Sequence, residues 1–346
     1  MPFPQTDEQR ELVDTVHKLL AEIADPIPPS WDDRGAGLNR SLWGSLAGLG
    51  LLGLGVGEDL SGSGGGLREL CLVAEEIGGV CARVPYVGTA AALAAGVPDV
   101  GAIVNGSLIA VPAWETHPAL PNSRGAALTL SGTTVDGSLR AVAFGMDADA
   151  LLAYAGDAAV IVDLTQTGVR RHSVPAFDVT EPVAALTLRA AEAIVLEPSP
   201  SWPWIRTVVA AELIGTARRA LDGAVQYAKE RHQFGRAIGS FQAIKHMLAD
   251  RYVQLEAARL LVDSAITAID EERSGAPAAA LAALAAATEA AQAAAGDTLQ
   301  THGGIGFTWE HPSHVFLKRV RTRRSLFGSP AQQLDALADH ILAPLS

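Results

Sequence analysis

Apolar residues recur at helical spacing from the start of the chain. Leu12, Val13, Val16, Leu19, Leu20 and Ile23 fall on one face of a helix of 3.6-residue period. Thr6 and Gln9 precede them at the T-x-x-Q spacing of a capping box, and Asp25-Pro26 predicts the stop. Further helices are predicted over about 39–48 and 66–78, and a fourth across "YVGTAAALAAG". The run "GLLGLGVGEDLSGSGGG" between them lacks the lysine and spacing of a phosphate-binding loop and reads as a flexible connection. From about 100 to 196 the pattern changes to short apolar or alternating runs such as "AALTLSGTTVDG" and "DALLAYAGDAAVIVDL", punctuated by Gly, Asn, Asp and Pro. That is a strand-and-turn texture. "EPSPSWP", 197–203, reads as a proline-rich hinge. Helical spacing then returns over about 203–231, 239–272 and 276–301. The last of these is rich in alanine, whose small side chain suits close helix packing in a bundle. The expected organisation is an N-terminal helical domain (1–98), a reduced middle β domain (99–196) and a C-terminal helical bundle (197–346).

Two stretches interrupt this pattern with chemistry. In "YAKERHQFGRAIGSFQAIKHMLAD", 227–250, Gly235 and Gly239 sit among good helix formers. Each would cost about 1 kcal/mol against alanine inside a helix, so a helix, a turn and a second helix are predicted. The turn carries Arg231, His232, Gln233, Phe234, Arg236 and Gln242, dense in donors and aromatic surface. It reads either as a surface corner of a bundle or as a binding corner for a flat, anionic ligand. In "QTHGGIGFTWEHP", 300–312, Gly303 and Gly304 can end a helix in a left-handed cap. A glycine pair also lets backbone N–H groups approach a phosphate or a ring edge. Gln300 and His302 lie just before it.

Composition narrows the classes. With 49% apolar residues in 346, a large core is expected. A net charge of −12 argues against a general nucleic-acid binder, while leaving room for a local basic pocket. Cys71 and Cys81 fall in one helical region and read as two buried small hydrophobes in a reducing compartment. "MPFPQTDEQR" has neither the basic nor the apolar region of a secretory signal. The runs "LAGLGLLGLGVG" and "ALAALAAATEAAQAAA" are Gly-rich or interrupted by Glu289, short of the ~20 apolar residues of a membrane span. A soluble cytoplasmic protein that engages no membrane is expected. The nine histidines show no H-E-x-x-H or paired Cys/His spacing, so no metal is expected. Trp202, Trp204 and Trp309 read as core or interface anchors.

The spacing R-x-x-F-G-x-x-I-x-x-F-Q-x-x-x-H-x-L-A-D from Arg231, followed by Q-x-x-G-G-x-G-F-x-x-E from Gln300, resembles the acyl-CoA dehydrogenases. The order of helices, β block and helices is similar to that family across the whole chain, as is "LAGLGLLGLGVGEDLSGSGGG" followed by "LVAEEIGG". The resemblance implies an α+β fold: an N-terminal helical domain, a small middle β barrel and a C-terminal four-helix bundle. It implies FAD as cofactor, an acyl-CoA substrate, and a tetramer as the usual assembly. It further implies that Arg231, Phe234 and Gln242, with Gln300, Gly303 and Gly304, hold the ADP half of an FAD seated largely in the neighbouring subunit. Arg231 suits the pyrophosphate, Phe234 offers an apolar face, and the glycine pair admits the cofactor backbone. On the same resemblance "KRVRTRRS", 318–325, reads as a contact to a CoA or FAD phosphate or, with more weight, as a solvated or salt-bridged face.

The chain departs from the family where chemistry is done. The family's general base is a glutamate, 27 residues after the motif glutamine in many members; that count from Gln300 reaches Phe327. Other members place it on the first helix of the C-terminal domain, just before an arginine. The matching position is Ile205, with Arg206 retained. Glu212, seven residues on, is a substitute base or, more plainly, a glutamate packed in the bundle with a structural partner. No T-E-P-x-x-G-S-D segment is found, and the W-I-T that meets the flavin ring is matched by Ala141, Val142 and Ala143. Motifs serving a neighbour's FAD, without parts for its own site, resemble the short subunit of the heteromeric dehydrogenases of actinobacterial steroid degradation. The expected partner is a full-length paralogue in an α2β2 tetramer that supplies the glutamate and binds half the usual number of flavins. Electron-transfer flavoprotein is compatible as acceptor. The alternatives are a self-sufficient homo-oligomer with a relocated base, and a non-catalytic scaffold.

Overall fold

The computed structural model describes residues 5–23, 37–121, 123, 127–197, 199 and 201–342. The first helix, α1 (Asp7–Ile23), begins at the reciprocal cap its sequence predicts. The Thr6 backbone N–H donates to Gln9 Oε1 at 3.1 Å, and the Gln9 N–H donates to Thr6 Oγ1 at 3.2 Å. The stop at Asp25-Pro26 lies outside the described residues. Helix α2 (Arg40–Gly48) is capped by Asn39, whose Oδ1 accepts from the Leu42 N–H at 2.9 Å. Helices α3 (Leu67–Gly79), α4 (Tyr86–Ala94) and α5 (Val100–Val104) complete the first region. The glycine-rich connection between α2 and α3 is not a flexible linker. It is a folded series of tight turns, tied by Gly55 N–H to Gly64 O at 3.2 Å and Gly64 N–H to Val56 O at 3.1 Å. Helix α5 falls within the stretch whose texture predicts strands: five residues are too few for periodicity to separate the two. Cys71 lies in α3, but Cys81 lies beyond its end with a φ of +48°.

Seven strands follow: β1 (Ala110–Pro112), β2 (Leu128–Ser131), β3 (Thr134–Ala143), β4 (Ala150–Ala155), β5 (Ala158–Asp163), β6 (Val169–Val174) and β7 (Val183–Val195). The sheet runs β1-β4-β5-β7-β3-β2, with β6 also on β7. Its pairings are antiparallel except β1 with β4. The long β7 belongs to both halves. Its N-terminal part pairs with β3 and β6, and its last residues pair with β5 in the register Val160↔Val195. Ala190, at φ +45°, marks the bend between them. The sheet thus folds over a core that includes Leu139, Leu151, Val160, Leu186 and Leu188, as a small barrel left open between β1 and β2.

The C-terminal region is helical: α6 (Trp202–Glu230), α7 (Gln242–Asp270), α8 (Ala276–His302), α9 (Ser313–Phe327) and α10 (Pro330–Leu342). Helices α6 to α9 form the bundle, and α10 lies against α8. By length and composition alone, Ala276–Phe307 could cross a membrane, contrary to the reading that no run is apolar enough. Its alanines instead face α6 and α7, and most of the stretch is buried in the bundle. Helices α3 and α6 cross with their backbones nearly touching. A Cβ on Gly215 would come within 1.8 Å of Glu75 O, and one on Gly78 within 2.2 Å of Glu212 O. The Thr216 hydroxyl donates to Gly78 O at 3.0 Å across that contact.

A buried ion cluster joins the β layer to the bundle. Arg319 Nε donates to Asp178 at 2.6 Å, its Nη1 to Glu212 at 2.8 Å, and its Nη2 to the Thr180 hydroxyl at 2.8 Å. Arg323 donates to Glu212 Oε2 from Nε at 2.6 Å and to Glu181 from Nη1 at 2.6 Å. All five charged side chains are buried. "KRVRTRRS" is therefore split: Arg319 and Arg323 point inward as salt-bridged core rather than forming a solvated face.

Candidate functional site

The opposite ends of α6 carry the two features of interest. At its C-terminal end the chain makes a hairpin rather than a plain turn. Strand β8 (His232–Gln233) pairs with β9 (Arg236–Ala237) around Phe234-Gly235. Both turn residues have positive φ, +54° and +78°, the signature of a tight two-residue hairpin turn. Gly235 is there for its φ. Gly239 is there for space, since a Cβ would sit 2.8 Å from Ala228 O of α6. Gly235 lies in the hairpin turn and Gly239 in a single 3-10 turn (Ile238–Ser240), so neither is inside an α-helix, which answers the pattern break in the sequence. Phe234 is the unusual member. A bulky residue in the left-handed region is strained, and this one is 91% exposed. Its ring meets only the edge of Phe241, with centroids 6.2 Å apart, and the Arg236 guanidinium lies 4.1 Å above Phe241.

The second motif reaches the same end. Helix α8 packs on α6 and runs parallel to it, because α7 reverses between them, and it ends at the last turn of α6. Tyr227 and His302 link the helices with rings 4.3 Å apart. His302 donates from Nδ1 to Thr298 O at 2.8 Å and lies tilted against His311, with ring centroids 4.0 Å apart. Gly303 takes φ +61° and ψ −137°, outside the left-handed cap geometry and in a region that glycine alone adopts readily. Nothing lies within 4 Å of where a Cβ on Gly303 or Gly304 would be. All six predicted contact residues are thus gathered at one end of the bundle, with Arg231, Phe234, Gln242, Gln300 and Gly304 exposed. The corner has outward donors, an aromatic face and a backbone free of side-chain cover. That set fits the ADP part of a dinucleotide.

The N-terminal end of α6 is closed. Phe327 and Ile205, which the family resemblance matches to the two positions of a general base, are both buried. Phe327 packs edge-on against Trp114 at 5.0 Å and stacks with Trp202 at 6.2 Å; Trp202 in turn stacks on His117 at 3.9 Å. His117 continues to Tyr154 at 4.4 Å. Ala143 and Phe144, at and after the W-I-T position, border the same cluster. The space left is a cavity of about 20 Å³, room for one water molecule and not for a flavin ring. Burial, with Arg206 close by, pushes His117 down to about 4, so it is neutral at physiological pH. Trp202 and Trp114 are anchors of this plug, while Trp309 packs on His314 at 4.5 Å.

Glu212 borders that cavity, yet both its oxygens are held by Arg319 and Arg323. Burial alone would raise its pKa; Arg323 and Arg319 outweigh burial and hold it below the ordinary carboxylate value. A general base works best with a pKa near the operating pH. The contacts favour the structural partner over the relocated base. The sequence pattern did not reveal Asp178 and Glu181, the other two carboxylates of this cluster. They sit in an irregular loop before β7, and the only hint was an arginine pair at i, i+4, Arg319 and Arg323, in a basic run. Among the described residues, no three His, Cys, Asp or Glu side chains gather as metal ligands would.

Comparison with known proteins bears on this geometry. Residues 6–100 match the model of the acyl-CoA dehydrogenase N-terminal domain, and residues 203–342 that of the acyl-CoA dehydrogenase C-terminal domain. Over 344 residues, 97% of this chain and 98% of the relative, the sequence is 33% identical to the acyl-CoA dehydrogenase IpdE2 of Mycobacterium tuberculosis. The chain belongs to the acyl-CoA dehydrogenase family. This family uses FAD and oxidises CH–CH bonds. The chain is also 33% identical over 299 residues to the acyl-CoA dehydrogenase FadE34 of the same organism, spanning 41% of that relative's length. A variant of the Tcur3481–Tcur3483 steroid acyl-CoA dehydrogenase superposes with a TM-score of 0.86 at 29% identity, covering 98% of this chain and 99% of that one. The ChsE4–ChsE5 complex of M. tuberculosis also gives 0.86, at 25% identity and 99% of each chain. The acyl-CoA dehydrogenase fold, with N-terminal helices, central sheet and C-terminal bundle, is the one described above.

Proposed function

We propose that this chain is a subunit of an FAD-dependent acyl-CoA dehydrogenase that desaturates the α,β bond of an acyl-CoA thioester, a steroid side chain by analogy with its relatives. Its own part is to clamp the ADP half of an FAD seated in a full-length paralogue within an α2β2 tetramer. The paralogue supplies the general base. Bound FAD supplies the hydride acceptor for the acyl β-carbon. Arg231 would pair with the pyrophosphate, Phe234 would cover an apolar face of the nucleotide, and Gln242 and Gln300 would donate and accept at its edges. Gly303 and Gly304 would let the cofactor lie against backbone. The observation that carries this reading is the contrast along α6: an aromatic held strained and 91% exposed at the clamp end, and Phe327 buried where a base would stand. The names of the Tcur3481–Tcur3483 and ChsE4–ChsE5 structures, a steroid dehydrogenase and a complex of two chains, support the substrate class and the pairing.

The test is reconstitution. Purified alone, the chain should show no turnover across an acyl-CoA panel. Co-expressed with a full-length dehydrogenase carrying the glutamate, it should form a flavin-bound, active assembly. Turnover by the chain alone, abolished by Glu212→Gln with the flavin retained, would instead establish the self-sufficient homo-oligomer.

A further inference from the structure

A second pocket lies beyond the aromatic plug. It has a volume of about 220 Å³ and lies among the 118–121 loop, the first turns of α6, and helices α8 and α10. Its walls are apolar, with Leu120, Leu281, Leu284 and Phe327 among them. One charged side chain lines it: Arg206. Among the described residues Arg206 has no carboxylate partner. Its guanidinium rests 5.0 Å from the Trp202 ring, and burial lowers its pKa only to about 10, so it stays charged at neutral pH. Gln333, on the α10 side, is 3% exposed. Its amide donates to Gly328 O at 3.0 Å and to Phe327 O at 3.3 Å, and its Oε1 has no donor. With no counter-ion among the described residues, the half-buried Arg206 guanidinium is available to an anion entering the pocket. In a chain of net charge −12, a half-buried arginine beside an apolar pocket and without a carboxylate partner is a candidate anion contact.

We propose that this pocket binds a compact monocarboxylate with an apolar body, its carboxylate on Arg206. A guanidinium matches a carboxylate with two parallel hydrogen bonds, and the apolar walls reject a fully hydrated anion. The volume of about 220 Å³ leaves room for a single-ring guest such as benzoate. The site is separate from the clamp corner and stands whether or not the chain serves a partner's flavin.

The test uses the full chain in its purified assembly, with benzoate as probe and benzamide as neutral isostere, read by calorimetric titration and by shift of the melting temperature. Benzoate should bind saturably and raise the melting temperature; benzamide should bind at least about tenfold more weakly. Arg206→Gln should weaken benzoate by at least about tenfold. Ala336→Trp, at an exposed α10 position lining the pocket, should block binding without touching the core. If Arg206→Gln does not fold, Ala336→Trp and the benzamide comparison decide. No saturable response, equal binding by benzamide, undiminished binding in both variants, or inorganic phosphate competing as well as benzoate would each overturn the proposal.

Discussion

Helix α6 joins two places that differ in almost every physical respect. At its first turns, near Ile205, rings from Trp114, Trp202, His117 and Phe327 pack together, and on the side facing α4 and the sheet the space beside Trp114 and Phe327 has room for a single water. At its last turn, beyond Arg231, a phenylalanine stands in solvent on a strained backbone and two glycines present bare main chain. The difference teaches that closure and display can divide within one helix: the end facing this chain's own core is sealed, and the end facing outward is kept open.

The largest expected effect comes from the ion cluster beneath the sealed end. Arg323→Met and Glu212→Gln should each lower stability by about 3–5 kcal/mol in denaturant titrations, since each strands buried charge. The assembly's turnover per folded molecule should not change with Glu212→Gln. If that variant keeps its stability and loses turnover, the sealed end is a working site and the comparison fails. Gly215→Ala comes next. Its Cβ would meet the Glu75 carbonyl at 1.8 Å, backbone against backbone, and overpacking of this kind costs about 1–3 kcal/mol. Thermal melting of that variant reports how rigidly α3 holds α6.

The plug itself carries a pH signature. His117 titrates near 4 when folded and near 6.5 when not, so the unfolded chain takes up the proton first. Its contribution is complete above pH 6.5 and is lost as pH falls toward 4, by at most about 3 kcal/mol. His117→Phe, which keeps a ring against Trp202, should flatten that part of the stability profile. The smallest stability effect is expected at the open end. Phe234→Gly relieves the left-handed strain and should raise stability by about 1 kcal/mol, while flavin retention by the assembly falls. A loss of stability there would mean that Phe234 serves this chain's own fold.

Much of this was legible in the sequence because its signals are local. The Thr6–Gln9 cap, the periodicity of α1 and the two glycine motifs each depend on residues within a few positions of one another. The positions that the family resemblance assigns to a base could be matched to Phe327 and Ile205 by counting from the motifs. What the spacing could not give is what packs around Phe327. Trp114, His117, Tyr154 and Trp202 come from four separate segments and meet only in the fold. The same holds for Asp178, Glu181 and Glu212 around Arg319 and Arg323: a basic run reads as surface until distant carboxylates are known to lie over it. The hairpin at Phe234-Gly235 was read as a turn, since a two-residue ladder is too short to leave an alternating pattern.

The most direct measurement is the flavin-to-polypeptide ratio by visible absorbance, for the chain alone and for the chain co-purified with a full-length dehydrogenase. The account expects a colourless chain alone and one FAD for every two polypeptides in the assembly. One FAD per polypeptide in the chain alone would contradict it, because the sealed end of α6 would then have to open for a flavin.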